Sequence, residues 1–301
     1  MKKFLIVPAL ILLAFLFFIV ACNQTNKQEN DNETILKGKT KVLVDETFKP
    51  VIEDQIMIFE SKYDAKISLL AKSETEVILA LVKDTANIAV LSRTLTPQEL
   101  KIFENKKVTP RITKIATDAI AFIANQKNND TIIALQDVVA FMQGKANQNI
   151  KGLVFDNPNS SSVRYMNELA GLKTIPKTGI YSFKTNEEVI KFVASNEGMI
   201  GIVGVNWLMQ PALNRVEIVK SVQVLSVKGI DKKDYFSPTQ NNIAEGKYPL
   251  ARDLYIVNCQ GYSGLGMGFA SFVAGDIGQR IILKSGLLPV KMPGRNIIIR
   301  K

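Results

Sequence analysis

The stretch Asn87-Ile88-Ala89-Val90-Leu91-Ser92-Arg93-Thr94-Leu95-Thr96-Pro97-Gln98-Glu99 reads as a strand, a polar turn and the start of a helix. Four consecutive apolar residues predict a strand buried on both faces. Thr96, followed by Pro97 and with Glu99 three positions on, has the pattern of a capped helix N-terminus. Towards the N-terminus, Lys41-Val42-Leu43-Val44 predicts another buried strand. Phe48, Val51, Ile52, Ile56 and Phe59 follow at helical spacing. Lys66–Leu70 predicts a strand, and Glu74–Lys83 a helix opened by Ser73 and Glu76. This β-α-β-α-β order predicts an α/β fold with a mostly parallel sheet covered by helices. Such sheets place ligand sites at the carboxyl ends of their strands, where helix N-termini point.

Towards the C-terminus a second set of elements follows. Ile115–Asn125 predicts a long strand, ended by the polar break Gln126-Lys127-Asn128-Asn129-Asp130. Strands are expected at Ile150–Phe155 and Met199–Val203, with helices at Val163–Leu169 and Asn186–Ser195. Val216–Val227 reads as strand-rich, Arg252–Asn258 as a strand, Leu265–Lys284 as one long helix, and Asn296–Ile299 as a closing strand. Two α/β lobes are expected, the chain crossing near Asn125 and returning near Tyr248. The predicted boundaries are 39–125 with 249–301 for the first lobe, and 126–248 for the second.

Of the 301 residues 47% are apolar and 22% charged, too apolar for a disordered chain. No histidine is present, so Ser-His-Asp and Cys-His mechanisms are excluded and a transition metal would lack its commonest ligand. The composition points to a binding protein rather than an enzyme, with no cofactor and no metal. Met1-Lys2-Lys3 and the apolar run from Phe4 to Val20 form a leader over residues 1–21, long enough either to direct export or to span a membrane. Ile19-Val20-Ala21-Cys22 resembles the lipobox of bacterial lipoproteins, in which the cysteine becomes lipidated and the leader is removed. Residues 22–38 have the composition of a tether. Losing Lys2 and Lys3 with the leader would lower the formal charge from +10 to +8, still suited to an anionic partner. The basic residues are dispersed, which disfavours nucleic acid. With Cys22 lipidated, Cys259 is left without a disulfide partner and reads as a small apolar residue at a strand end.

Three strand-to-helix turns carry hydroxyls: Asp45-Glu46-Thr47, Lys72-Ser73-Glu74 and Asn157-Pro158-Asn159-Ser160-Ser161-Ser162. Helix N-termini with hydroxyls attract oxyanions, although taken singly each hydroxyl reads first as a cap of its own helix. A cap needs one serine, so the triple run leaves two spare. Arg93 at a strand end and Arg164 one turn after the serines carry forks suited to a tetrahedral anion.

The segments Asn87–Glu99, Thr117–Asn125, Lys247–Tyr255 and Gly278–Val290 together resemble the phosphate-binding proteins of ABC phosphate importers. The resemblance implies a two-lobed type II periplasmic-binding-protein fold with phosphate in the cleft. It implies a lipid-anchored monomer in the cell envelope that delivers phosphate to permease subunits. The alternative is an envelope lipoprotein of the same fold that signals anion availability to a partner. Carried onto this chain, the phosphate ligands fall at Thr47, Ser73, Ser92 with Arg93, and Ser160-Ser161-Ser162, with Arg164 as a further cation. Many members have aspartate where Arg93 stands, glycine at Ser161, and an arginine where this chain has Asp156-Asn157. Phosphate retains a proton at neutral pH and sulfate does not, so a buried carboxylate would favour phosphate. Asp118, ahead of Asp45 and Asp156, is the candidate acceptor.

Overall fold

The computed structural model describes residues 33–209, 211 and 215–294. The leader, Cys22 and the Asn296–Ile299 strand expected from the sequence lie outside them. In chain order the first elements are β1 (Gly38–Asp45), α1 (Lys49–Lys62), β2 (Ala65–Lys72), α2 (Glu74–Val82), β3 (Ile88–Leu91), α3 (Pro97–Asn105) and β4 (Arg111–Asn125). Then come β5 (Ile132–Ala134), α4 (Leu135–Met142), β6 (Gly152–Phe155), α5 (Ser161–Ala170), β7 (Ile180–Ser182), α6 (Asn186–Ser195), β8 (Met199–Gly204) and α7 (Asn206–Met209). The chain continues with α8 (Val216–Lys220), β9 (Val222–Val224), β10 (Ser226–Lys228), β11 (Tyr235–Phe236), α9 (Gln240–Ala244) and β12 (Ala251–Asn258). It closes with α10 (Leu265–Ala274), α11 (Asp276–Lys284) and β13 (Leu288–Pro289).

One mixed sheet runs through the molecule in the order β2-β1-β3-β12-β4-β8-β6-β7, with β9 and β13 also on β4. β1 pairs in parallel with β2 and β3, and β6 in parallel with β7 and β8. β4 joins the two halves. Residues 111–119 pair with β12, whereas Ile120–Asn125 pair with β8 and β9. The partner change falls at Ala119–Ile120, inside the strand and earlier than the crossing expected near Asn125. The strand's 15 residues are enough to pair first with β12 and then with β8 and β9 within the one sheet.

Packing follows from the alternation of side chains along β1. Val42 and Val44 face α1 and α10 in a core with Phe48, Phe59 and Phe269. Leu43 faces the opposite layer, with Val77, Leu81 and Phe103 from α2 and α3. A separate core in the second lobe gathers Ala119–Ala124, Leu153, Val163, Val193 and Trp207. Each fully buried large apolar side chain contributes roughly 1.5–3 kcal/mol, so each half has a core of its own.

Two elements differ from the sequence reading. The helix expected over Leu265–Lys284 is broken at Gly275, whose extended backbone ends α10 and starts α11. Val216–Lys220, expected within a strand-rich segment, is the short helix α8. Its apolar residues Ile218 and Val219 pack onto the second core, and tertiary burial outweighs their β preference. Cys259 is buried, with its thiol pushed up to about 12 by burial.

The end of the expected tether is docked. The Glu33 carboxylate accepts the Leu265 N–H at 2.8 Å, capping α10, and is also bonded by Tyr262. The chain then passes so close to α10 that a Cβ on Gly268 would stand 1.6 Å from the Ile35 carbonyl oxygen. Replacing Gly268 by alanine is therefore expected to expel this arm and cost about 1–3 kcal/mol. Urea denaturation measures the loss, and faster tryptic cleavage at Lys37 reports the released arm.

Candidate functional site

The site forms where the strand ends of one lobe meet the helix N-termini of the other. β1 ends at Asp45, and a single 3₁₀ turn, Glu46–Phe48, leads into α1. The Asp45 side chain caps that turn by accepting the Thr47 N–H at 3.2 Å. Trp207 Nε1 and Asn206 Nδ2 both donate to the Thr47 carbonyl at 2.9 Å, pinning the turn against α7. Opposite it, β6 delivers Asp156, and Ser160 caps α5 by accepting the Val163 N–H. The lobes touch directly across the cleft. Thr47 Oγ1 lies 3.1 Å from Asp156 Oδ2, and the Ser161 N–H donates to Asp45 Oδ2 at 3.0 Å.

Carboxylates dominate this surface. Asp45, Asp118 and Asp156 are essentially inaccessible, and Glu46 and Glu74 are buried. Glu46 reaches the first turn of α6, where its Oε2 accepts the Asn186 N–H at 3.1 Å and the Asn186 amide at 2.8 Å. Burial first, then the neighbouring Asp156, pushes the Glu46 carboxyl up to about 8 despite those bonds. Asp156 is pushed up to about 7 by burial and then by Asp45. Thr47 has one hydroxyl proton but faces Asp45 Oδ1 at 3.2 Å as well as Asp156. A proton on Asp156 resolves that frustration, in line with its raised pKa.

The cation in the centre is Arg252. Antiparallel pairing sets it opposite Asp118, and its Nε donates to Asp118 Oδ2 at 3.1 Å. Its Nη1 donates to Ser161 Oγ at 3.0 Å, and its guanidinium lies 4.9 Å from the centre of the Phe48 ring. Two buried polar atoms of this constellation, Arg252 Nη2 and Asp118 Oδ1, have no partner, and neither has the buried Ser162 Oγ in the first turn of α5. Leaving such atoms unpaired costs free energy, so in a folded protein they call for an explanation.

The structure brings Thr47, Asp118, Ser160, Ser161 and Ser162 of the sequence candidates to this centre. The rest are otherwise engaged. Ser73 caps α2 in a reciprocal box with Glu76, its hydroxyl 2.7 Å from that carboxylate. Arg93 donates to both Glu99 oxygens at 2.8 Å and to Glu74 at 3.3 Å. Arg164 reaches across the cleft to Glu74 at 2.6 Å, to Ser92 Oγ at 3.2 Å, and to Glu168 on its own helix. Ser92 Oγ is also 3.3 Å from Glu74. Arg93 and Arg164 thus have their charge balanced by acids that the sequence shows only as a capping residue, Glu99, and as part of a polar turn, Glu74. The sequence reading also passed over Arg252, Glu46 and Asn186 as site residues. Arg252 carried one signal, a lone charge at a buried position of β12 between the half-exposed Ala251 and Asp253.

A family model described as PBP superfamily domain matches residues 26–276. The chain belongs to the PBP superfamily. The phosphate-binding protein PstS of Pseudomonas aeruginosa is 24% identical over 252 residues, 75% of each chain. A candidate phosphate ABC transporter substrate-binding protein from Clostridium perfringens, solved with bound phosphate, superposes with a TM-score of 0.69 at 20% identity. That comparison covers 84% of this chain and 100% of the other. An ABC-type phosphate transport receptor from Vibrio cholerae gives a TM-score of 0.62 at 18% identity, again over 84% and 100%. The fold of this PBP-superfamily chain is the α/β, two-lobed type II architecture expected from the sequence, and the resemblance to phosphate-binding proteins stands.

Proposed function

We propose that this protein is an extracytoplasmic solute-binding protein that takes inorganic phosphate, or a similar protonated tetrahedral oxyanion, into the cleft between its lobes. It would be lipidated at Cys22 and would present the ligand to the permease of an ABC importer. The observation that carries this reading is the unpaired trio of Arg252 Nη2, Ser162 Oγ and Asp118 Oδ1. Arg252 Nη2 can only donate, Ser162 Oγ can donate or accept, and Asp118 Oδ1 accepts when its carboxyl, paired with Arg252, is ionised. A protonated oxyanion would satisfy all three by accepting from the guanidinium and the hydroxyl while donating its proton to the carboxylate. Hydrogen phosphate does this and sulfate, without a proton, does not. The first turn of α5 adds the partial positive charge of a helix N-terminus. The Pseudomonas, Clostridium and Vibrio relatives, by their names, serve phosphate.

The ligand set under this reading is Thr47, Asp118, Ser160, Ser161, Ser162 and Arg252. Ser92, Arg93 and Arg164 would form its lip, joined through Glu74, while Ser73 caps α2 beside them. Isothermal titration is expected to give heat with phosphate and none with sulfate at equal concentration. No heat with phosphate at millimolar concentration would sink the reading. A Ser161→Asp variant is expected to abolish the heat by setting a second charge against the ligand.

A further inference from the structure

We propose that Asp45 is a built-in counter-anion: its carboxylate occupies the N-terminus of α5, holds the lobes together without ligand, and yields that place to an incoming oxyanion. The idea rests on the ligand reading above and adds what the site does when empty. Asp45 belongs to the first lobe by chain position and by pairing, at the end of β1. Its Oδ2 nevertheless accepts the Ser161 N–H of the second lobe at 3.0 Å, while Oδ1 accepts the Thr47 N–H at 3.2 Å. A helix of ten residues presents that N–H, and the neighbouring Ser162 Oγ is buried and unpartnered. A carboxylate is thus seated where the geometry would seat an anion's oxygen.

The next residue repeats the device. Glu46 enters the first turn of α6 through Asn186, so consecutive acids of one lobe engage two helix N-termini of the other. The groups facing Asp45 come from every packed element. They are Asp118 on β4, Asp156 after β6, Glu46 in its own turn, Glu74 on α2 and, as the sole cation among them, Arg252 on β12. Burial and Glu74 raise the Asp45 carboxyl, while the Ser161 bond, Arg252 and the Thr47 bond favour its charged form. An entering phosphate would add negative charge to this crowd. Displacing Asp45 from the α5 N–H relieves both the repulsion and the competition for one donor.

The test uses purified full-length protein, with inorganic phosphate as the probe. Asp45→Asn removes the charge, and Asp45→Ala removes both acceptor oxygens in case the amide still holds the N–H. Two quantities are read: amide hydrogen exchange over Asn157–Val163 without ligand, and phosphate affinity by titration. Both variants are expected to exchange about tenfold faster there and to bind phosphate about tenfold more tightly, a gain equivalent to ~1.4 kcal/mol. Unchanged exchange overturns the clasp. Faster exchange with weaker phosphate binding overturns the displacement, because Asp45 would then be a ligand contact. Should the wild-type protein bind no phosphate, the ligand reading falls, and the exchange arm alone decides whether Asp45 closes the cleft.

Discussion

Arg252→Met is expected to cost about 3–5 kcal/mol of stability and to abolish phosphate binding in the same step. The arginine is buried, its guanidinium stacks on Phe48, and it is the ion-pair partner of the inaccessible Asp118. Methionine fills much of the stem's volume but leaves Asp118 buried beside Asp45 without its counter-charge, so burial and Asp45 drive its carboxyl further up, towards the protonated form. That buried, partnerless carboxyl supplies most of the loss, because breaking a buried pair costs more than the intact pair contributes. The double variant Arg252→Met with Asp118→Leu removes both charges and is expected to recover most of the stability. It is not expected to recover binding, because the central donor and the proton acceptor are both gone. Urea denaturation and titration with phosphate separate the two effects. Wild-type affinity in Arg252→Met would show that the anion's cation lies elsewhere.

Local signals carried the scaffold far. The capping boxes at Ser73 with Glu76 and Thr96 with Glu99 both form as their spacing implies, and the parallel β1-β2-β3 set follows from strands separated by amphipathic helices. Those features depend on residues within one or two turns of each other. The triple serine was legible for the same reason, since a strand end running into a helix fixes where its hydroxyls point. What stayed hidden depends on pairings between distant segments. Arg252 and Asp118 meet only because β12 lies antiparallel to β4, across 134 positions of sequence. Arg93 and Arg164 had the right chemistry for an anion, but Glu74 sits between them in space while being remote from both in sequence. A charge is a candidate ligand only until its counter-charge is known, and that is a property of topology. Asp45 and Glu46 illustrate the same point. In sequence Glu46 reads only as part of a polar turn and Asp45 as a second-ranked proton acceptor, and it is the opposite lobe's helix N-termini that they engage.

The cluster should also invert the usual dependence of stability on pH over most of its range. Glu46, at about 8, and Asp156, at about 7, hold protons more tightly folded than unfolded, where carboxyls titrate near 4. Between those values the native state carries the extra protons, so stability is greatest below the unfolded pKa values and falls as pH rises through the folded ones. Acids shifted the other way set the lower limit. Glu76 is held below its ordinary value by the Ser73 hydroxyl and N–H, and Glu187 by Lys191. Their contributions disappear as pH drops beneath the normal carboxylate range. The two sets together place the stability maximum near pH 5, with a decline towards pH 8–9 where most proteins would be flat. Glu46→Gln isolates the upper limb. The amide oxygen can still accept from Asn186, so the variant should match wild type near pH 5. At pH 9 it should be more stable by about 2–4 kcal/mol, less than the full shift implies because Asp156 titrates with Glu46 as a pair. Denaturant midpoints at closely spaced pH values measure both curves. Parallel curves for the two proteins would mean that the Glu46 carboxyl is ionised throughout, and that the contact with α6 is held by a charge rather than by a shared proton.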